Sequence, residues 1–140
     1  MYRRLAMLAF TLVVALGVVA GSSAAGRVGV NGDGTRGTAT FSFSVVLKAG
    51  AVSGPFSFDN GLGTSYSGNA TCGSVSGNIA IFGGTATDNS GRTTDAVFEV
   101  SDNPDGLIFG TGRPACDTTG FGDPTSLPIT SGSIRITGRR

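Results

Sequence analysis

The chain lacks several residues on which enzyme sites and ligand sites depend. None of its 140 residues is His or Trp, and Lys48 and Glu99 are its only lysine and its only glutamate. Without His, neither a Ser-His-Asp nor a Cys-His nucleophile can be assembled. A single Glu leaves little for the paired carboxylates of a glycosidase. The sequence therefore predicts a protein that is not an enzyme.

Aromatic and charged residues are also scarce. With two Tyr and no Trp, little surface is left for stacking against a sugar, and most of the 9 Phe fall on predicted inward positions. Setting aside Arg3 and Arg4 leaves eight basic residues (10 − 2) against nine acidic ones, so the rest of the chain carries a net charge near −1. Because phosphate neutralisation dominates nucleic-acid affinity, we expect no nucleic-acid partner.

The first 25 residues have the order of a secretory signal peptide. Tyr2-Arg3-Arg4 is a short basic start, residues 5–20 form an uncharged run of 16, and small residues fill 21–25. An uncleaved anchor is the alternative, but the run is shorter than the roughly 20 residues that span a bilayer. Ser23 and Ala25 suit the small-residue preference of a signal peptidase. We therefore expect cleavage of residues 1–25, no membrane span afterwards, and a mature domain, 26–140, that is secreted or attached to the cell wall.

Both cysteines, Cys72 and Cys116, lie in the expected mature domain. The alternatives to a disulfide are two buried thiols or a metal pair, and zinc would need further Cys or His ligands. An even number of cysteines in an exported chain is typical of a disulfide. Closing a loop of 45 residues (116 − 72 + 1) contributes on the order of 4 kcal/mol. The sequence therefore predicts a Cys72–Cys116 disulfide.

The expected mature domain alternates in the manner of β-strands and shows no helical period. In its clearest run, residues 37–47, apolar side chains alternate with Thr40, Ser42 and Ser44, as in a half-buried strand. Shorter runs follow at 56–58, 66–72, 79–87, 96–101, 107–109 and 134–136. Turns rich in Gly and Asn separate most of them. The predicted fold class is all-β, a single antiparallel β-barrel or β-sandwich of about seven to eight strands.

Three features lie outside this pattern. The stretch Gly32–Gly37 has the spacing of a dinucleotide-binding loop, but a strand follows it where that motif needs a helix, so we expect a flexible approach to the sheet. The segment Arg113–Pro128 holds two Gly, three Pro and Cys116, which predicts a long loop tied to Cys72. Glu99 falls on the outer face of its strand and is expected to be solvated, with no acidic partner.

Asp and Asn cluster in the predicted turns. The clusters are Asn31 with Asp33, Asp88 with Asn89, and Asp102 with Asn103 and Asp105. Calcium takes six to eight oxygen ligands from such residues. No cluster matches a complete ligand spacing, and Asp and Asn are ordinary turn formers. Asp102, Asn103 and Asp105 are the candidate calcium ligands, with turn formation as the alternative, and no other cofactor is expected.

Four segments of the chain are similar to those of a known group. They are residues 37–43 (GTATFSF), 54–59 (GPFSFD), 75–80 (VSGNIA) and 98–104 (FEVSDNP). Across residues 37–110 the chain resembles small exported β-sheet domains of high-GC Gram-positive bacteria, of the type called post-COAP. The resemblance implies a bacterial, exported β domain, and it brings no catalytic residues.

Two functional hypotheses follow. The first is a non-catalytic, secreted or cell-wall-associated domain that binds a partner through its loops, with the Asp/Asn turns and the segment 113–128 as the surface. The second is a small enzyme without a recognisable motif, or a barrel that holds a small apolar ligand. A ligand barrel needs a cavity that the inward phenylalanines leave unfilled, namely Phe41, Phe43, Phe56, Phe58 and Phe98.

Overall fold

A computed structural model describes residues 26–138 and confirms the all-β prediction. The expected signal peptide, residues 1–25, lies outside the described residues. The strands are β1 (Val28–Arg36), β2 (Ala39–Lys48), β3 (Ala51–Ser53), β4 (Pro55–Asp59), β5 (Ser65–Asn69), β6 (Cys72–Ser76), β7 (Ile79–Asp88), β8 (Thr93–Ser101), β9 (Gly106–Thr111) and β10 (Ser131–Thr137). A single 3-10 turn, Pro124–Ser126, is the helical element between β9 and β10.

All strand pairs are antiparallel and form one nearly closed barrel, so the barrel alternative holds over the sandwich. The order across the sheet is β10-β1-β2-β4-β5-β7-β8-β9. Strand β3 precedes β4 along the same side of β2, and β6 follows β5 along the same side of β7. The last strand, β10, returns to pair with the first.

The structure corrects the prediction that Gly32–Gly37 is a flexible segment leading into the sheet. Most of that stretch is part of a regular strand that pairs with both β2 and β10. A Cβ at Gly32 would lie 2.6 Å from the ring of Phe43, so glycine here leaves room for an aromatic side chain inside the barrel. Glycine hides such a strand from pattern analysis because it adds no apolar side chain to the alternation.

A β-bulge interrupts the predicted alternation of residues 66–72. Gly68 pairs with Ala86 and Cys72 pairs with Gly83, so three residues on one strand oppose two on the other. The extra residue reverses the faces beyond it. Gly73 points inward, where an added Cβ would meet Leu47 and Phe82, and Cys72 points outward. This reversal carries the cysteine to the surface, where it forms its disulfide.

The interior of the barrel is filled by aromatic side chains. Phe41, Phe43 and Phe56, each predicted to point inward, are 1%, 4% and 2% exposed. Phe82 stacks on Phe98 with ring centroids 5.0 Å apart, and the Phe43 ring lies 5.0 Å from that of Phe82. Each such pair adds about 0.5–1.5 kcal/mol beyond its buried area. A ligand barrel would need a cavity between these phenylalanine side chains, but their rings are in contact with one another.

Candidate functional site

The predicted calcium ligands lie in the turn between β8 and β9, at the seam where the barrel closes. Asp102 Oδ2 accepts a hydrogen bond from the Ile136 backbone N–H at 2.9 Å, and Asp105 Oδ2 accepts one from the Ile134 N–H at 3.1 Å. Asn103 is exposed, and its N–H donates to Asp105 Oδ1 at 3.2 Å. The turn thus bonds to the edge of β10. Within residues 26–138 no group of three or more His, Cys, Asp or Glu side chains is placed to hold a metal, and the calcium site stays a prediction.

The cluster at Asp88 and Asn89 organises the turn between β7 and β8. Asp88 Oδ1 accepts hydrogen bonds from the hydroxyl and the N–H of Ser90, and from the N–H of Arg92. The hydroxyl bond is the main cause that lowers the pKa of Asp88 to about 2. Asn89 Nδ2 donates to the carbonyl of Gly63, which joins this turn to the turn between β4 and β5. These side chains are engaged in turn chemistry.

The segment Arg113–Pro128, which we call the strap, is a packed layer on the barrel. Its Cys116 is bonded to Cys72, with a Cα–Cα distance of 6.2 Å, so the predicted disulfide is present. The guanidinium of Arg113 lies 4.7 Å from the centroid of the Phe121 ring. A Cβ at Gly110 of β9 would lie 2.7 Å from that ring. The strap therefore depends on a glycine beneath it for close contact.

The strap covers outward positions of β8 and β9. Val97 alternates with the inward Ala96 and Phe98 and points out of the barrel, yet it is 0% exposed. Pro124 of the strap is also buried, and its carbonyl lies against Gly106 of β9. An apolar side chain on the outside of this barrel is thus sealed by the chain itself. The predicted loop is tied to Cys72 as expected, and it forms a second layer over part of the sheet.

The structure corrects the prediction that Glu99 is solvated and has no acidic partner. Glu99 is half-buried, and burial, followed by repulsion from Asp123 of the strap, raises its pKa. Asp123 caps the 3-10 turn, where its carboxylate accepts from the hydroxyl and the N–H of Thr125. These bonds lower the pKa of Asp123. The pKa of Glu99 is therefore raised while that of Asp123, on the strap, is lowered.

A different part of the outer surface is open and lined by hydroxyl groups. Ser42 pairs with Ser57, Ser57 with Ser67, and Ser67 with Thr87, so one row of hydroxyls crosses β2, β4, β5 and β7. All four residues are exposed. We call this row and the outward residues beside it the hydroxyl face; those residues are Ser44, Pro55, Asn69, Thr71 and Thr85.

The hydroxyl face lines a shallow groove. Its larger part encloses about 740 Å³ and its smaller part about 490 Å³. Both parts are lined by Ser42, Ser57, Ser67 and Thr87, so the groove is continuous. Small outward side chains create it, because no long side chain from these four strands fills the space. Among the described residues, no ionisable side chain lines the larger part.

The hydroxyl groups of this row form no hydrogen bonds with other described residues. In the part of the chain that the structure describes, the side chains of Ser42, Ser57, Ser67 and Thr87 make no hydrogen bond to another residue. Hydroxyls in the turns, by contrast, are used internally: Ser90 bonds to Asp88 and Thr125 to Asp123. The row is therefore free to bond with water or a ligand.

Part of this surface could be predicted from the sequence. Alternation placed Ser42, Ser44 and Ser57 on outer faces, and the structure agrees. It did not show that these hydroxyls align across four strands, since register depends on turns and on the bulge after Asn69. The run Ala96-Val97-Phe98 was a signal for the covered face, because consecutive apolar residues indicate a strand buried on both sides.

Comparisons with known proteins transfer no function to this chain. No family model matches it, and no curated protein or solved structure matches it either. Among residues 26–138 there is no helix with the length and apolar character needed to cross a membrane.

Proposed function

We propose that this protein is an exported, non-catalytic β-barrel domain that binds an extracellular or cell-wall partner through its hydroxyl face. The observation that carries the proposal is the row of four exposed, unengaged hydroxyls in a continuous groove. A rigid sheet holds these groups in place, so little conformational entropy is lost when they bind. The basic start and uncharged run of residues 1–20 support export.

The strap is a weaker candidate for the binding surface than the loops hypothesis assumed. Its Phe121 and Pro124 face the barrel, and its Arg113 is occupied by that ring and by the carbonyl of Thr119. The turn carboxylates Asp88 and Asp105 likewise bond within the chain. The four hydroxyls of the row, by contrast, make no hydrogen bond to another described residue and remain available for a partner.

A non-catalytic role agrees with the state of the acidic residues. General acid catalysis needs a carboxyl group of raised pKa within reach of a substrate. Glu99 has a raised pKa, but it is not among the residues that line the groove. The aromatic filling of the interior argues against the alternative of a ligand-holding barrel, since Phe82 and Phe98 occupy its centre.

The binding surface is tested with isolated cell envelopes of the source organism. Protein purified from the culture medium is mixed with envelopes and sedimented, and the bound fraction is measured. We expect Ser57→Arg, which fills the groove, to lower the bound fraction at least about tenfold. The matched control is Ser133→Arg, an exposed strand serine of β10 outside the groove, which should bind like the unsubstituted protein. Equal binding of both variants would overturn the proposal.

Export is tested by the intact mass of the protein in the medium and in the envelope fraction. We expect a species that begins at Gly26 and in which Cys72 and Cys116 resist alkylation until a reductant is added. A full-length species confined to the cytoplasm, with both thiols open to alkylation, would contradict export.

A further inference from the structure

We propose that the partner of the hydroxyl face is a linear, neutral polysaccharide that lies across the strands. This inference rests on the proposed function and names the chemical class of its ligand. It is argued from the charge, the hydrogen-bonding groups and the shape of the groove.

The charge of the groove argues against charged ligands. Within residues 26–138 no cationic side chain lines either part of it, so a phosphate, a sulfate or a uronic acid would find no counter-ion there. The two acidic residues at its smaller part are Asp59 and Asp88. Asp59 accepts from the N–H of Gly61, and Asp88 is bonded within its own turn. Asp88 already pairs with Arg92, and the described residues that line the larger part include no carboxylate. A basic ligand would therefore find a counter-ion at Asp59 alone, at the smaller part of the groove.

The hydrogen-bonding groups match those of a sugar. A serine or threonine hydroxyl both donates and accepts, as does each hydroxyl of a sugar ring. Neighbouring strands lie about 4.8 Å apart, so Ser42, Ser57, Ser67 and Thr87 repeat at that interval across the sheet. This repeat is comparable with the length of one sugar residue in an extended chain. Successive sugars can thus meet successive hydroxyls.

The shape of the groove favours a polymer over a single sugar. Phe43 and Phe56 lie beneath the groove but are 4% and 2% exposed, so they offer no ring for stacking. Pro55 is the exposed apolar ring on this face. Binding to one sugar would depend on a few exposed hydrogen bonds and would be weak. A chain that contacts the whole row gains affinity from several weak contacts held together.

The first test is electrophoresis in native gels that contain one polysaccharide each. The probes are mannan, dextran and the neutral polysaccharide fraction of the source organism's envelope, with polygalacturonate as the charged control. We expect at least one neutral probe, and not the charged one, to retard the protein. Ser57→Ala and Ser67→Ala should each weaken the retardation about 2- to 10-fold, while Ser133→Ala should leave it unchanged. The inference is wrong if no neutral probe retards the protein or if the groove variants behave like the control.

The second test separates this inference from the proposed function. Envelopes are treated either with periodate, which cleaves sugar diols, or with protease, and the sedimentation assay is repeated. We expect binding to be lost after periodate and kept after protease. If Ser57→Arg abolishes binding but protease removes it and periodate does not, the groove still binds a partner, and that partner is a protein. In that case the polysaccharide is rejected and the proposed function stands.

Discussion

Two outer faces of the same barrel differ in what covers them. Where β2, β4, β5 and β7 pair through Ser42, Ser57, Ser67 and Thr87, the outward side chains carry hydroxyl groups and are exposed. On the face formed by β8 and β9 the outward Val97 is completely buried beneath the strap. The comparison shows that the chain covers the apolar outer surface itself and leaves the polar one open. The row of four hydroxyls is uncharged and makes no hydrogen bond to another described residue, so it is the part of this surface best suited to bind a ligand.

The strap face should depend on the disulfide for stability. Replacing both cysteines, Cys72→Ser with Cys116→Ser, removes the link that closes a 45-residue loop (116 − 72 + 1) and should lower the free energy of unfolding by about 4 kcal/mol. Urea unfolding followed by tyrosine and phenylalanine near-UV circular dichroism measures the loss. A variant within about 1 kcal/mol of the unsubstituted protein would show that contacts such as those of Phe121 hold the strap without the bond.

The seam next to the strap should be the second most sensitive place. In Asp102→Ala the buried N–H of Ile136 loses an acceptor, which should cost about 1–3 kcal/mol. The exposed Asp33→Ala is the matched control and should change stability little. Because Asp102 and Asp105 accept from β10, we also expect a chelator to leave the thermal melting curve unchanged. A lower melting temperature with chelator would instead support the predicted calcium site.

A single pair of substitutions compares the two faces directly. Val97→Ala removes buried methyl groups under the strap and should cost about 1.5 kcal/mol, at roughly 0.8 kcal/mol for each buried carbon. Ser57→Ala removes an exposed hydroxyl without a protein partner and should stay within about 0.5 kcal/mol. Chemical denaturation of both variants measures the difference. Similar losses would mean that the hydroxyl face has a structural role.

The smallest effect is expected at Glu99. Its pKa is raised in the folded protein, mainly by burial and then by Asp123, so the ionised form destabilises the fold. That destabilisation is complete above the folded pKa and disappears as the pH falls toward the usual value of 4.5. Glu99→Gln should therefore raise stability at pH 7, by less than about 1 kcal/mol because solvent screens the partly exposed group. The gain should shrink between pH 7 and pH 4, as thermal melting at several pH values will show; a gain independent of pH would contradict this cause.

The sequence predicted those parts of the fold that a local pattern encodes. Alternation identified the inward Phe41 and Phe43 of β2, and the cysteine count predicted the disulfide. Strand β1 was missed, because its inward Gly32 has no side chain to mark a face. Cys72 was also assigned to the inner face with Tyr66 and Ala70, but the bulge turns it outward. A bulge adds one residue without a distinctive sequence signal.

The candidate site was harder to predict from the sequence than the fold. Ser42 and Ser57 were predicted to point outward, but their neighbours in the row come from other strands. Ser42 and Ser67, for example, are separated by 25 positions (67 − 42) and are brought into one row by pairing through Ser57. Such long-range register follows from tertiary packing, so the groove becomes visible only when the strands are assembled.

Binding through the hydroxyl face is tested most directly by mapping amide chemical-shift changes while the protein is titrated with solubilised envelope fragments. We expect chemical-shift changes concentrated at β2, β4 and β5, around Ser42, Ser57 and Ser67, with the amides of the strap unaffected. We also expect Ser57→Arg, but not Ser133→Arg, to abolish these changes. Changes concentrated on the strap, between Arg113 and Pro128, would contradict the account and return the binding surface to that loop.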